Sequence, residues 1–312
     1  MKQFFQSILT GILSDKKTEE IIKAHQNSGK FISINNTNAF ILDHGKGEPV
    51  FCIHGVPTSS FLYRKVLSNL SSRGYRGIAI DLPGFGLSDR PESFDYTFQE
   101  FSNFCLQALN SLGIKKFHLV VHDMGGPVGF AMAAQNTDRI LSITILNTWI
   151  DVVNFRKPLP MRPFEIPILG EIELALMNHK TWRIVFNLLG VENSSGIPSE
   201  EINAYINLLK RKDKGKAFLK TMRNFDNTPE FRNLCVKAVQ NTLYPIQIIW
   251  GMRDPGLRFE RFGKELQTFT GVKTINELNA SHLLQEEKPE FIADKIQEII
   301  MQSKVLAPSL SN

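Results

Sequence analysis

The chain of 312 residues is poor in the features that mark special protein classes. It has three cysteines, Cys52, Cys105 and Cys235, odd in number and widely spaced. They exclude a disulfide framework or a thiolate zinc site and fit reduced thiols in a cytoplasmic protein. No apolar run approaches the ~18–20 residues needed to span a bilayer, so stable membrane insertion is not expected. An excess of one charge is also missing: 36 Lys and Arg face 31 Asp and Glu, a net +5 spread along the chain. That balance excludes a nucleic-acid footprint. Gly (21) and Pro (15) are near ordinary usage, which rules out collagen-like and low-complexity chains. No H-E-x-x-H or clustered Cys/His spacing occurs, so a metal site is not expected; nor is a cofactor, since water and the three side chains singled out below suffice for the chemistry.

What is present is a globular composition, 42% apolar and 21% charged. At the start, Phe4, Phe5, Ile8, Leu9, Ile12 and Leu13 recur at helical spacing, and Asp15-Lys16-Lys17 follows without a small-residue cleavage site. Residues 1–29 therefore read as a helix packed on the body, with a membrane-surface or oligomer-contact helix as the alternative. Lys30–Ile34 and Ala39–Leu42 read as two strands joined through Asn35–Asn38. Short, wholly apolar strands then alternate with helical stretches: Val50–Ile53, Gly77–Ile80, Phe117–Val121 and Ile140–Leu146. Such alternation predicts a parallel sheet covered on both faces. The rhythm stops after Trp149 and returns with Ile246–Trp250, Val272–Ile275 and a last helix near Pro289–Gln302. The expected organisation is an α/β core over 30–150 and 242–312, interrupted by a helical insertion over 151–241, with Val305–Asn312 frayed.

The sharpest chemical signal is Leu119-Val120-Val121-His122-Asp123-Met124-Gly125-Gly126. A buried strand ends and paired glycines open a helix, the context of a nucleophile elbow. Its nucleophile position holds Asp123, a carboxylate ionised at neutral pH and suited to displacing a leaving group from an sp³ carbon. Taken alone, Asp123 could be an ordinary helix N-cap. Other pieces reach the same sheet edge. The turn after Ile53 places the backbone N–H of Val56 opposite that of Met124, a pair able to form an oxyanion hole. Asp254 follows strand Ile246–Trp250, and His282 lies in the loop before the last helix. His54 and His122 fit buried hydrogen-bonding roles at strand ends. The order Asp123, Asp254, His282 matches nucleophile, acid and base in α/β hydrolases.

On these motifs, with Pro57-Thr58-Ser59-Ser60, Asp81–Asp89, Leu146-Asn147-Thr148-Trp149 and His282–Glu286, the chain resembles the haloalkane dehalogenase and epoxide hydrolase branch of the α/β-hydrolase superfamily. The resemblance covers nearly everything after residue 30 and lies nearest the dehalogenases. It implies an α/β-hydrolase fold: a mostly parallel sheet of about eight strands flanked by helices, with a helical cap. It implies attack by Asp123 on a halogen-bearing carbon, an alkyl-enzyme ester, and its hydrolysis by water that His282, oriented by Asp254, activates. The substrate would be a small apolar molecule, with water as co-substrate; a homo-oligomer is compatible. His54, Trp149, Phe155, Trp182, Phe186 and Leu283 are candidates for the pocket wall, and Leu189 and Phe218 for its cap side. Two departures point to an atypical halide site. Met124 stands where dehalogenases usually carry Trp, and Val56 where Asn is frequent, so neither side chain offers an N–H; Trp149 or Trp182 could substitute. Asp151 is a second candidate for the acid. An epoxide hydrolase is an alternative, for which Tyr205 and Tyr244 are the tyrosines in or near the insertion. A non-catalytic ligand-binding protein on the same fold is another.

Overall fold

A computed structural model describes the backbone of residues 2–306 and the side chains of residues 15–305. Helix α1 (Lys2–Asn27) leads into the hairpin of β1 (Gly29–Ile34) and β2 (Thr37–His44). The reversal uses Asn35 and Asn36, both at positive φ (46° and 63°), the two-residue turn whose twist suits a hairpin. The parallel part follows: β3 (Pro49–Ile53), α2 (Arg64–Ser72), β4 (Arg76–Ile80), α3 (Phe98–Ser111), β5 (Phe117–His122), α4 (Gly125–Gln135) and β6 (Ile140–Leu146). After an excursion the chain returns as β7 (Ile246–Gly251). The excursion carries a short helix over Leu159–Glu165, then α5 (Leu169–Leu176), α6 (His179–Val185), a widened turn over Phe186–Gly190, α7 (Ser199–Lys210), α8 (Lys216–Arg223) and α9 (Pro229–Lys237). Next come α10 (Lys264–Thr270), β8 (Asn276–Leu278), α11 (Leu284–Glu287) and α12 (Pro289–Leu306).

Among the described residues the strands form one eight-stranded sheet in the order β1-β2-β4-β3-β5-β6-β7-β8. Only β2 runs against the rest. Helices α2 and α12 pack together on one face and α3 and α4 on the other. Two-sided cover explains why β5 is buried at every residue and why its sequence shows no polar alternation. Cys52, Cys105 and Cys235 are buried free thiols.

Two expectations change. The edge strand is Asn276–Leu278 rather than Val272–Ile275. The β-branched run has the better propensity, but pairing is offered only where β7 runs alongside, and there Asn276, Glu277 and Leu278 lie opposite Ile249, Trp250 and Gly251. At the C-terminus, Val305 and Leu306 complete α12; the frayed tail expected beyond them lies outside the described residues. The apolar face proposed for Phe4 to Leu13 likewise falls on side chains that are not described. Within α1, Ile22 and His25 are buried, His25 packing against Phe40 and Phe61.

A buried ionic cluster ties α2 to α7 and α11. The Arg64 guanidinium pairs with Glu286 and Glu201, Lys65 Nζ lies 2.9 Å from Glu286, and the Tyr205 hydroxyl donates to Glu286. Burial would raise the Glu286 pKa, but Arg64 and Lys65 hold it below the ordinary value. Removing one member of such a buried set leaves the others uncompensated, at a typical cost of ~3–5 kcal/mol. Glu286→Ala is therefore expected to lower stability by about that amount in urea unfolding; a change near zero would show that the cluster is dispensable.

Candidate active site

The carboxyl ends of β3, β5, β6, β7 and β8 bring five loops to one edge of the sheet, where α/β sheets bind their ligands. Asp123 follows β5 directly and holds a left-handed backbone with φ +51°, a conformation that costs a non-glycine residue roughly 1–3 kcal/mol. The turn is held from three sides. Asp123 N donates to Asn147 O (3.0 Å), while its carbonyl accepts from Gly126 N (2.9 Å) and Thr148 Oγ1 (2.6 Å). Glycine is needed at residue 55, because any Cβ there would collide with the Asp123 carboxylate. That absence lets Val56 N reach Asp123 Oδ1 at 2.8 Å, and the N–H of Met124 is a second backbone donor to the same carboxylate.

Asp254 and His282 complete the group. His282 Nδ1 lies 2.7 Å from Asp254 Oδ2, and His282 Nε2 lies 3.6 Å from Asp123 Oδ2. Asp254 accepts from the side chain of Asn147 at 2.9 Å and from the N–H groups of Gly256 and Leu257, each at 2.8 Å. Asn147 is itself clamped to the end of β7 by Gly251 N (2.7 Å). His122 supports the loop from below, its Nε2 lying 2.8 Å from the His282 carbonyl.

Charge follows from this geometry. Burial alone would lower the His282 pKa, but Asp254 and, less strongly, Asp123 raise it to about 9. Burial would raise that of Asp254, yet His282, the Leu257 N–H and Asn147 keep it below the usual carboxylate range. For Asp123 burial prevails over His282 and the two backbone donors, and its pKa is raised. The imidazole of His282 thus favours its protonated form, and the two carboxyl groups beside it are shifted in opposite directions.

Asp123 and His282 open onto a cavity of about 140 Å³ with mostly apolar walls. Of the residues singled out in the sequence, Trp149, Phe155, Trp182, Phe186, Leu189, Phe218 and Leu283 line it. His54 does not. It is wholly buried below the site, with Nδ1 at 2.8 Å from Gly55 O and Nε2 accepting from Leu82 N, so it braces the loop bearing Val56. Asp151 is also elsewhere, paired with Arg232 at 3.1 Å. Neither tyrosine reaches the cavity: Tyr205 donates to Glu286, and Tyr244 to the Ala238 carbonyl. Among the described residues no group of His, Cys, Asp or Glu is arranged to hold a metal ion.

The two indoles differ. Trp182 Nε1 donates to Ile202 O at 2.9 Å, whereas the buried Nε1 of Trp149 has no acceptor among the described residues. Trp149 is held by stacking on Phe155, with ring centroids 3.9 Å apart and nearly parallel. Sequence reasoning gave no role of its own to Asn147 and missed the wall residues Lys157 and Glu173. Lys157 is buried against the ring of Phe225 and paired with Glu165 at 2.7 Å. Nothing in the Pro-rich stretch around it signals that it turns inward.

Comparison with known proteins agrees with the architecture. A family profile described as "alpha/beta hydrolase fold" matches residues 48–289. Haloalkane dehalogenase 2 of Mycobacterium tuberculosis is 29% identical over 263 residues, covering 82% of this chain and 89% of that protein. A cis-3-alkyl-4-alkyloxetan-2-one decarboxylase of Shewanella oneidensis is 39% identical over 134 residues, 42% of each chain. Among solved structures, haloalkane dehalogenase DbeA of Bradyrhizobium elkani superposes with a TM-score of 0.72 at 20% identity, covering 89% of this chain and 99% of that one.

Since both carboxylates raise the pKa of His282, removing either is expected to bring it down from about 9. Asp254→Asn should lower it more than Asp123→Asn, because Asp254 exerts the larger influence. Ring-proton NMR titration of His282 in the two variants measures both shifts; the reverse order would contradict this account of the site.

Proposed function

The chain belongs to the alpha/beta hydrolase fold family, and from that premise we propose that it is a haloalkane dehalogenase-like hydrolase acting through an ester on Asp123. The observation that carries the reading is the contrast between the two carboxylates. Asp254 is filled with donors: His282, Asn147 and two backbone N–H groups. Asp123 accepts backbone N–H groups on one side and faces the cavity and His282 on the other, leaving lone pairs for an electrophile. One carboxylate is built to orient and the other to attack.

Attack of an Asp123 oxygen on an sp³ carbon forms the C–O bond while the leaving group departs with the electron pair of its own bond. Esterification removes the charge of Asp123. One of the influences that raise the His282 pKa disappears with it, so the imidazolium more readily releases its proton to solvent, balancing the charge of the departing anion, at the stage where a base is needed. Neutral His282 then takes a proton from water, and the resulting hydroxide adds to the ester carbon of Asp123. The N–H groups of Val56 and Met124 stabilise the tetrahedral oxyanion, a contribution worth ~3–4 kcal/mol per positioned donor. Collapse expels the alcohol, which recovers a proton from His282; the carboxyl group so formed on Asp123 passes its own proton to the neutral imidazole, restoring the carboxylate and the imidazolium. The helical excursion over 151–241 serves as the cap that excludes bulk water, and the apolar walls select a small apolar substrate.

Trp149 is the leaving-group donor in this reading. Its side chain supplies an N–H without an acceptor among the described residues, where Met124 and Val56 supply none and Trp182 has committed its own. The epoxide hydrolase alternative lacks a tyrosine on the cavity wall to protonate the opening ring.

The decisive experiment is His282→Gln incubated with bromoalkanes, epoxides, β-lactones and activated esters, followed by peptide mass spectrometry. The expected result is an alkyl adduct on Asp123 with a bromoalkane and none in Asp123→Ala. A protein that binds these compounds and never forms the adduct would be a ligand-binding member of the fold. Trp149→Phe keeps the stacking on Phe155 and is expected to slow halide displacement by about 10²–10³-fold. An unchanged displacement rate would remove Trp149 from the leaving-group site.

A further inference from the structure

The excursion between β6 and β7 shows solvent an apolar face that the cavity does not explain. Helix α5 exposes Ile168 at its N-cap, then Leu169, Ile172 and Leu176, on the side opposite buried Gly170 and Leu174. Leu159 and Ile166 extend this surface on and just after the short helix against which α5 packs. Helix α6, two residues beyond α5, continues it with Ile184 and then Leu188 in the following turn. These side chains are 44–75% exposed, and eight of the thirteen exposed large hydrophobic residues of the described chain fall between 159 and 188. A helix apolar on both sides needs a second apolar neighbour. Here one side is accounted for: Trp182, Val185 and Leu189 of the same segments line the cavity.

Charge identifies what covers the other side. Residues 156–188 hold Arg156, Lys157, Arg162, Lys180 and Arg183 against Glu165, Glu171 and Glu173. Arg156, Arg162 and Lys180 are exposed along the apolar segments and have no carboxylate partner among the described residues. Of these acids Glu165 pairs with Lys157 and Glu171 with Arg223, while Glu173 lines the cavity. A two-fold contact with a second copy would bring these unpaired cations toward their own counterparts. Apolar side chains beside unpaired Lys and Arg instead match the acyl and headgroup layers of an anionic lipid surface. No helix of the described residues is long and apolar enough to cross a membrane, so the contact is peripheral.

We propose that the face formed by residues 159–188 docks the protein on anionic lipid bilayers, with the cavity directly behind the docked helices. The contact does not depend on the reaction at Asp123. Full-length protein should co-sediment with vesicles of equimolar phosphatidylglycerol and phosphatidylcholine and bind poorly to phosphatidylcholine alone. Binding should fall as salt screens the cationic contribution. The double variant Ile172→Asp, Leu176→Asp replaces two exposed residues and should reduce partitioning about tenfold or more with an unchanged near-ultraviolet circular dichroism spectrum. Arg162→Ala with Lys180→Ala should weaken binding at low salt only. Wild-type protein that stays in the supernatant, variants that bind as wild type does, or equal binding to both vesicle types would overturn the proposal. So would a dimer in light scattering that the Asp variants dissociate, which would assign the face to a second copy.

Discussion

At Asp123 a side-chain-bearing residue is held in a left-handed backbone conformation, and the site exists only while that turn persists. The strain is small beside the folding energy of a chain this size, but unsupported it would relax within the native state. Support comes from residues distant in sequence. Asn147 and Thr148, at the end of the neighbouring strand, hold the backbone of Asp123 on both sides of its peptide. The lack of a side chain at Gly55 lets the next loop close over the carboxylate. The turn therefore belongs to the sheet as a whole, because the register of β5 with β6 decides whether Asn147 stands beside it.

The same strand ends set the electrostatics. Asn147 works twice, holding Asp123 through its backbone carbonyl and Asp254 through its side-chain amide. Two carboxylates and one imidazole then share a volume from which most water is excluded. Each has a partner: His282 lies between the carboxylates, and backbone N–H groups reach oxygens of both. The inequality between a saturated Asp254 and an open Asp123 separates orientation from attack in the reading advanced above.

The excursion over the site has a different logic. Its helices carry apolar residues on two sides, one toward the cavity and one toward solvent, and exposed Arg156, Arg162 and Lys180 accompany the outer side in sequence. Stability of the fold accounts for the inner side alone. The outer side is what a segment retains when its complete surroundings include something besides water.

Local chemistry made much of this legible in the linear chain. Wholly apolar strands announce a covered parallel sheet, a glycine pair after a strand announces the elbow, and Asp254 and His282 each follow a strand in the order such sites use. These signals survive because they arise from residues adjacent along the backbone. Other features did not announce themselves. The edge strand at Asn276–Leu278 has poor β-propensity and forms because β7 offers it a partner, while Val272–Ile275 has good propensity and no partner. His54 and Trp149 look alike in the sequence as polar-edged rings near strand ends, yet one is sealed beneath the sheet edge and the other forms the cavity wall. The hydrogen bonds of Asn147, the withdrawal of Asp151 toward Arg232 and the difference between the Trp182 indole, bonded to Ile202, and that of Trp149, without an acceptor among the described residues, depend on which residues meet across long separations in the chain. Propensity and spacing act over a few residues and so choose elements and motifs; hydrogen-bond partners and cavity walls are chosen by packing, which only the assembled sheet and its covering helices determine.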